Sequence, residues 1–135
     1  MKTQCDVIVV GGGASGLLCA VMLARKGVQV TVLEKNHRIG KKLSATGNGR
    51  CNFTNKVQKK ECYRGKDANF AWNAMQHFSA EDAIEWFDQI GILATDKNGY
   101  MYPAANQATV VLHALENELK RQKVEVKLEE AVLSV

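Results

Sequence analysis

The feature that most constrains this chain is a glycine-rich turn between an apolar run and a helix-forming run near its start. Val7 to Val10 is a continuous run of β-branched residues, and Gly11-Gly12-Gly13-Ala14-Ser15-Gly16 follows it directly. Such a run is typical of a strand that is buried on both faces of a parallel sheet. The residues from Ala14 to Lys26 favour a helix, which Gly27 would end. We therefore predict a strand, a tight turn and a helix.

A second apolar run, Val28 to Leu33, ends at Glu34, which lies 18 residues after Gly16. Strand, helix and strand form the right-handed crossover unit of parallel sheets. In the Gly-x-Gly-x-x-Gly pattern, Gly11 allows the tight turn, Gly13 lets the backbone approach a pyrophosphate, and Gly16 lets the helix pack against the strand. An acid at the tip of the second strand binds ribose hydroxyls and repels a 2′-phosphate. The pattern predicts an FAD or NAD site rather than an NADP site, and the alternative is a glycine-rich turn with a surface Glu.

The rest of the chain is predicted from capping and turn signals, including the Asn98-Gly99 step of a hairpin. The predicted helices run from Asp67 to about Phe78, from Ala80 to Ile90, and from Asn106 to about Gln122, and the predicted strands are Ile92 to Thr95, Tyr100 to Tyr102 and Val124 to Leu128. The last strand extends the parallel sheet, so the expected fold class is α/β, with spatial strand order 3-2-1 and a helical and hairpin excursion in mid-chain. An open sheet edge and an uncovered apolar face favour self-association or partial disorder of the isolated chain.

The segment from Asn36 to Gly65 has no clear periodicity, and we predict a long loop with one short helix near Lys41 to Leu43. Between Lys35 and Lys66 ten basic residues accompany one acid, a net charge of +9, whereas the whole chain carries +4. Such a patch attracts anions, whether a phosphate-bearing ligand, an acidic substrate or nucleic acid. Because the basic residues are not interleaved with aromatic residues in a known nucleic-acid motif, we expect no nucleic-acid partner.

Composition narrows the class of protein. The chain has 135 residues, of which 46% are apolar, and this fits one globular domain. The uncharged stretch from Val7 to Ala24 could resemble a membrane span, but its glycines favour a strand, a turn and a helix, so no membrane partner is expected.

The cysteines lack metal-ligand spacing, so we expect no metal and reduced, mostly buried thiols in a cytoplasmic protein. The residues expected to be buried by packing are Cys5, Cys19, Phe70, Trp72, Phe78, Trp86 and Phe87, and no histidine is assigned to catalysis.

A polar loop from Arg38 to Asn52 contains the run Thr46-Gly47-Asn48-Gly49-Arg50-Cys51-Asn52. Its glycines allow close approach of the backbone, and its side chains offer charge and hydrogen bonds. From these properties alone the loop could hold a phosphate, a ribityl chain or a substrate carboxylate, or it could be an ordinary polar loop.

With this run, the Gly11 to Gly16 turn, Leu33-Glu34-Lys35-Asn36 and Ile39 to Leu43, the chain resembles a bacterial family of NAD(P)/FAD-dependent oxidoreductase flavoproteins. These are also called aminoacetone oxidase family FAD-binding enzymes and include a bile-acid dehydro-reductase. The resemblance covers essentially the whole chain. It implies a Rossmann-like FAD-binding domain of an enzyme that transfers hydride between a small-molecule substrate or NAD(P)H and FAD. The alternative is a non-catalytic dinucleotide-binding module.

Members of this family are much longer than 135 residues. The resemblance therefore implies that residues 1–135 are a partial FAD-binding domain, from the N-terminal third of the enzyme, without the substrate domain.

The resemblance also implies roles for individual residues. Those expected around the FAD pyrophosphate are Gly11, Gly13, Ser15 and Gly16. Glu34 would hold the adenosine ribose beside Lys35, and the backbone of Val132 would meet the adenine edge. The path toward the flavin would be lined by Lys42, Ser44, Thr46, Gly47, Arg50, Cys51 and Asn52. A cationic neighbour could also make Cys51 a redox thiol of low pKa, but a structural or flavin-lining role is favoured. No catalytic acid or base is assigned.

Overall fold

The computed structural model describes residues 4–134. Its elements in chain order are β1 (Val7–Val10), α1 (Ala14–Arg25), β2 (Val30–Glu34), the single turn α2 (Thr46–Gly49), β3 (Thr54–Asn55), α3 (Ala68–Met75), α4 (Ala80–Gln89), β4 (Ala94–Lys97), β5 (Tyr100–Pro103), α5 (Ala108–Arg121) and β6 (Glu125–Leu128). Short 3₁₀ turns occur at Leu43–Ala45 and Lys60–Cys62.

The central layer is a parallel sheet with the strand order β1-β2-β6. Val7 lies opposite Val30, and Thr31 lies opposite Glu125. Because β2 lies between the first and the last strand, the predicted order 3-2-1 and the α/β fold class are confirmed. The carboxyl ends of β1 and β2 lie side by side, and this is the edge where parallel α/β sheets bind ligands.

The main core lies between this sheet and the helices α1 and α5. Both helices present an apolar stripe, and the side chains that are at most 2% exposed include Leu17, Val21, Val32, Val111, Leu115 and Leu119. Burying one such side chain contributes about 1.5–3 kcal/mol. This packing therefore holds the start of α1, which follows the glycine turn, against β1 and β2.

The middle of the chain forms an excursion with its own small antiparallel sheet, ordered β3-β5-β4. Asn98 and Gly99 both have positive φ (54° and 87°), as a tight hairpin turn requires, so the predicted hairpin between β4 and β5 is present. The predicted caps are present too: Asp67 accepts hydrogen bonds from the first turn of α3, and Ser79 with Asp82 forms a capping box on α4. The short strand β3 inside the expected loop was not predicted.

A partly buried ionic contact joins three helices. Nε of Arg25 in α1 donates to Oε1 of Glu118 in α5 at 2.7 Å, and its Nη1 donates to Oε1 of Gln89 in α4 at 3.2 Å. The guanidinium also lies 5.6 Å from the centre of the Trp86 ring. Glu118 is 4% exposed. Burial alone would raise the pKa of Glu118, but the Arg25 hydrogen bond, the Gln122 hydrogen bond and the nearby Arg121 charge together lower it.

Burial of β1 on both faces was a wrong prediction. Ile8 is 56% exposed and Val10 is 60% exposed, while Val7 and Val9 are partly buried. The helices cover the Val9 side of the sheet, and no described residue packs over Ile8 and Val10 enough to bury them. The continuous apolar run therefore has one face in solvent in this chain.

Other expectations are also corrected. Asn106 does not cap α5: the capping position is Gln107, and Asn106, at a φ of 55°, accepts a hydrogen bond from Nζ of Lys97. The short helix near Lys41 is a 3₁₀ turn that starts at Leu43.

The burial predictions also need correction. Cys51 is buried, whereas Cys19 and Cys62 are exposed free thiols and Cys5 is only half-buried. Phe70, in the first turn of α3, is 77% exposed. No helix among residues 4–134 combines the length and the apolar composition needed to cross a membrane.

Candidate functional site

The glycine turn brings the start of α1 against the end of β1. Gly11 has a φ of +99°, which favours glycine. A Cβ added at Gly16 would lie 2.0 Å from the carbonyl oxygen of Gly11, so the close approach of helix and strand requires glycine there. A Cβ added at Gly13 would meet no atom of the chain within 4 Å. Gly13 therefore borders open space, whereas Gly16 lies in the close contact between helix and strand.

Glu34 is the buried acid at the end of β2. Its Oε2 accepts a hydrogen bond from the backbone N–H of Gly12 at 2.7 Å, and its Oε1 accepts one from the N–H of Asn36 at 2.8 Å. The hydrogen bond from the Asn36 backbone outweighs the opposing effect of burial and, with the other donors and Lys35, lowers the pKa of Glu34. The side chain, at 7% exposure, is thus held as a carboxylate beside the glycine turn.

Two glycines that were not assigned to the site also shape it. A Cβ at Gly12 would lie 2.6 Å from Cγ2 of Ile39, and one at Gly40 would lie 2.4 Å from Cδ1 of Leu112. The N–H of Gly40 donates to the carbonyl of Gly12 at 2.7 Å. The segment after β2 therefore folds back onto the glycine turn. Gly12 was the sequence signal for this contact. It was not recognised, because the Gly-x-Gly-x-x-Gly pattern allows any residue at that position.

A cleft of about 460 Å³ opens between the glycine turn, the end of β2 and the segment after β6. It is lined by the predicted residues Gly11, Gly13, Glu34, Lys35, Lys42 and Val132, and also by Asn36, Lys41 and Glu130, which were not predicted. Within the described chain, no side chain caps the first turn of α1 and that turn carries no acid. The helix N-terminus and the lysines therefore give this cleft a positive field beside one fixed carboxylate.

The Thr46 to Asn52 run forms a compact turn next to this cleft. Gly47, Asn48 and Cys51 have φ values of 56°, 54° and 59°. The hydroxyl of Thr46 donates to the carbonyl of Leu43 at 2.8 Å, and the N–H of Cys51 donates to the carbonyl of Thr46 at 3.0 Å. The turn is therefore held mainly by its own backbone.

The hairpin of β4 and β5 contacts this turn and holds it in place. The amide of Asn52 donates to the carbonyl of Met101 at 3.0 Å, and the guanidinium of Arg50 lies 5.6 Å from the ring centre of Tyr102. A Cβ at Gly47 would come within 3.4 Å of the Tyr102 ring. The side chain of Asn52 thus fixes the turn to β5, and the Arg50 side chain, which lies over Tyr102, also donates from Nε to the carbonyl of Gly47 at 3.2 Å.

Cys51 has the environment of a structural thiol. It is buried, and desolvation raises its pKa despite a hydrogen bond with the Thr46 side chain. A thiol with a raised pKa is mostly protonated at neutral pH and is a poor nucleophile. The redox-thiol alternative is therefore not supported, and packing or lining a ligand path remains the interpretation for Cys51.

The predicted residues divide between two neighbouring pockets. Ser15, Thr46, Cys51 and Asn52 line a mostly apolar pocket of about 320 Å³ between α1 and α4. Gly16, Ser44, Gly47 and Arg50 line neither of these two pockets. The hydroxyl of Ser44 donates to the carbonyl of Gly40 at 3.1 Å, so this residue also has a structural contact. Among residues 4–134, no three His, Cys, Asp or Glu side chains are grouped to share a metal ion.

Comparisons with known proteins agree with this geometry. A family model described as the HI0933-like protein Rossmann domain matches residues 5–135. The chain is 45% identical over 120 residues to the 3-dehydro-bile acid delta(4,6)-reductase of Clostridium scindens, covering 87% of this chain and 29% of the reductase. It is 28% identical over 130 residues to the ribosomal RNA dihydrouridine synthase of Escherichia coli, covering 96% of this chain and 32% of the synthase. The chain therefore spans about a third of the length of these curated relatives.

Solved structures share the fold. The flavocytochrome c3 fumarate reductase in its open conformation aligns with 95% of this chain and 27% of its own, with a TM-score of 0.62 and 19% identity. THI4 of Thermovibrio ammonificans aligns with 93% of this chain and 38% of its own, with a TM-score of 0.59 and 23% identity. The resemblance inferred from the sequence motifs is confirmed: the chain belongs to the HI0933-like family and corresponds to the Rossmann domain of that family.

Proposed function

We propose that this chain binds the adenosine and pyrophosphate half of FAD in the cleft beside Glu34. The observation that carries the proposal is the position of the Glu34 carboxylate at the tip of β2, held ionised against the N–H of Gly12. A carboxylate at this point of a parallel sheet accepts the hydroxyls of an adenosine ribose.

The residues present fit such a ligand. Gly13 leaves open space where a pyrophosphate would approach the backbone, and the start of α1 offers unpaired N–H groups to its oxygens. Oε2 of Glu34 accepts one hydrogen bond, from the N–H of Gly12, and keeps a further lone pair for a ribose hydroxyl, whereas Oε1 accepts from both the backbone N–H and the side-chain amide of Asn36. Lys35 and Lys42 line the cleft and balance the charge of the phosphates. The carboxylate disfavours a 2′-phosphate, which favours FAD or NAD over NADP in this cleft.

The chemistry of the whole protein follows from the cofactor. When bound, FAD supplies hydride exchange between substrate and an electron donor. In this chain, Glu34 orients the adenosine end, and the Thr46 to Asn52 turn lines the path toward the flavin. The role proposed for Arg50, which has no acidic partner among the described ion pairs, is to supply positive charge along that path.

We also propose that the reaction is the reduction of a carbon–carbon double bond, with NAD(P)H as the electron donor. A delta(4,6)-reductase and a dihydrouridine synthase both form products with fewer such bonds, and these names belong to two relatives of this chain. Anaerobic addition of NADH or NADPH to the FAD-loaded protein should bleach the visible flavin absorbance. Flavin that stays oxidised with both donors would contradict the proposed donor.

The cofactor site is tested by titrating the protein with FAD, followed by flavin fluorescence, with ADP as competitor. We expect saturable binding that ADP displaces. Glu34→Gln should weaken FAD and ADP alike by about 5- to 100-fold, because it removes a charge-assisted hydrogen bond worth roughly 1–3 kcal/mol. Gly13→Val should abolish binding, because its side chain occupies the open space.

Two controls separate binding from folding. Glu116→Gln removes a carboxylate of α5 that lines neither the cleft nor the apolar pocket, and it should leave the FAD affinity unchanged. Circular dichroism and urea unfolding should show that Gly13→Val is folded. If folded Gly13→Val binds FAD as tightly as the original chain, the assignment of this cleft is wrong.

A further inference from the structure

The strand β6 forms an unpaired edge of the parallel sheet. It pairs with β2 on one side, with Val126 opposite Val32, and no strand among residues 4–134 pairs with its other side. Such an edge presents backbone N–H and C=O groups that can pair with another strand. This edge lies across the sheet from β1, and none of the residues of β6 lines the cofactor cleft. A partner at β6 would therefore bind independently of the cofactor.

The hydrogen bonds of the sheet determine which backbone groups of β6 are free. The N–H of Gly11 donates to the carbonyl of Leu33 at 2.8 Å, so the N–H and C=O of Leu33 point toward β1 and those of Val32 point toward β6. In a parallel pair, the residue opposite Val32 then directs its own N–H and C=O away from β2. That residue is Val126, and Leu128, two positions later, has the same orientation. The outer edge therefore offers the N–H and C=O groups of these two residues.

The side chains of β6 give the two faces of this edge different character. Val124, Val126 and Leu128 line a groove of about 340 Å³ beside α5, and Leu128 is 42% exposed. Because side chains alternate along a strand, Glu125 and Lys127 lie on the opposite face of the sheet. There, Nζ of Lys127 lies 3.7 Å from Oε1 of Glu125, and both side chains are 40% exposed. The edge therefore has one apolar side and one charged side.

The order of these residues makes β6 complementary to itself. When a second copy runs antiparallel with Val126 opposite Val126, Glu125 of each copy lies opposite Lys127 of the other. Val124 then lies opposite Leu128 on the apolar side, and the outward N–H and C=O of Val126 meet those of the second copy. Opposite charges and apolar side chains that face each other across such a pair stabilise it. A parallel arrangement with Val126 opposite Val126 would instead place Glu125 opposite Glu125.

We propose that two copies of this chain form a two-fold symmetric dimer by antiparallel pairing of β6 with β6. The pairing joins the two parallel sheets into one continuous sheet. Because both copies use the same surface, the contact closes at two chains and does not propagate. An unrelated strand would satisfy the backbone groups, but nothing on it is matched to the charge order of β6. The dimer is also distinct from association through β1, which lies at the opposite edge of the sheet.

Reversing the charges on β6 tests the register. The dissociation constant of the dimer is measured by sedimentation equilibrium of the whole 135-residue chain. Glu125→Lys and Lys127→Glu each place like charges opposite each other at two positions, so each should raise this constant by about 10-fold or more. An equimolar mixture of the two variants restores opposite charges at both positions and should bring the constant back to within about 3-fold of the original value. Association through β1 is the same in all of these chains, so the differences report on β6.

Matched variants separate the register from net charge and from folding. Glu85→Lys and Lys66→Glu make the same changes of charge at exposed positions outside β6 and should leave the dissociation constant unchanged. The double variant Glu125→Lys/Lys127→Glu exchanges the two charges, so two copies of it should pair as the original chain does. Circular dichroism checks that each variant is folded.

Amide hydrogen exchange, measured by NMR spectroscopy at low and high protein concentration, tests the backbone pairing. Exchange at the N–H groups of Val126 and Leu128 should slow as the concentration rises, whereas exchange at the N–H of Lys127, which points toward β2, should not.

Three results would overturn the proposal. They are an original chain that does not dimerise, single charge reversals that leave the association unchanged, and an equimolar mixture that associates as weakly as its components. The second result would assign the association to another surface, such as the face of β1.

Discussion

Gly13 and Gly16 lie within one turn of each other at the start of α1, but the steric constraints at the two positions differ. At Gly16 an added Cβ would lie 2.0 Å from a backbone oxygen, which cannot move without shifting β1. At Gly13 an added Cβ meets nothing, and the backbone angles there are ordinary extended values. The folded chain alone therefore accounts for Gly16, whereas nothing in the described chain requires glycine at position 13, and the proposed pyrophosphate site would require it.

The first prediction concerns stability at these two positions. Gly16→Ala should lower the free energy of unfolding by about 1–3 kcal/mol, because helix and strand must separate. Gly13→Ala should change it by less than about 0.5 kcal/mol. Urea unfolding followed by circular dichroism measures both. Equal costs at the two positions would show that the space around Gly13 is not open.

At the scale of elements, the Arg25–Glu118 pair joins α1 to α5 and reaches α4 through Gln89. Removing the carboxylate leaves a partly buried guanidinium without its partner. Glu118→Gln should therefore lower the free energy of unfolding by about 2–3 kcal/mol at neutral pH, as expected for a hydrogen bond between charged groups. Glu116→Gln on the same helix is the control and should have little effect. Urea unfolding of both variants measures the difference.

The same pair predicts a dependence on pH. The pKa of Glu118 lies below its ordinary value of 4.5 in the folded chain, so the unfolded chain binds the proton more tightly. The stabilisation is complete above about 4.5 and is lost as the pH falls through the lowered pKa. The difference in unfolding free energy between the original chain and Glu118→Gln should shrink below pH 4.5. A difference that stays constant down to pH 3 would contradict the ionic role of Glu118.

Elements with local signals could be predicted from the sequence. The capping box at Ser79, the cap at Asp67 and the Asn98-Gly99 hairpin each depend on residues a few positions apart, and all three are present. The contact of Arg25 with Glu118 spans 93 positions and leaves no local trace. Asn106 has the chemistry of a cap, but its side chain is used by Lys97 of the hairpin. In both examples, contacts formed in the folded chain determine the role of the side chain, so the local sequence could not predict it.

In the candidate site, too, residues fixed by local sequence spacing could be predicted, whereas residues placed by tertiary contacts could not. Glu34 and the glycines could be predicted because the fingerprint fixes their spacing, and the structure places Gly11, Gly13 and Glu34 around one cleft. Asn36 and Lys41 could not, because their places depend on how the segment after β2 folds back through Gly40. The ligand-binding roles assigned to all of the site residues, including Ser44, Gly47 and Arg50, remain predictions.

At the scale of the whole molecule, we expect the exposed face of β1 to promote association in solution. Ile8 and Val10 lie on the open face of the sheet, and β1 is an edge strand of the described sheet. An apolar face beside an unpaired strand edge favours association. The chain should therefore self-associate as its concentration rises, which sedimentation velocity would detect.

A paired substitution tests this face. Ile8→Thr/Val10→Thr keeps the β-branched shape and removes apolar surface, so it should shift the sample toward monomer. Leu93→Thr, at an exposed position outside the sheet, is the control. A single monomer peak for the original chain at high concentration would contradict the prediction.

The open space at Gly13 has a consequence over evolutionary time. In a descendant that no longer needed a cofactor, folding would still select for glycine at position 16, but nothing in the chain would select for it at position 13. Position 13 would be free to drift while the fold persisted. Under the proposed function, the residue found there in a descendant reports whether the cofactor is still in use, separately from whether the protein still folds.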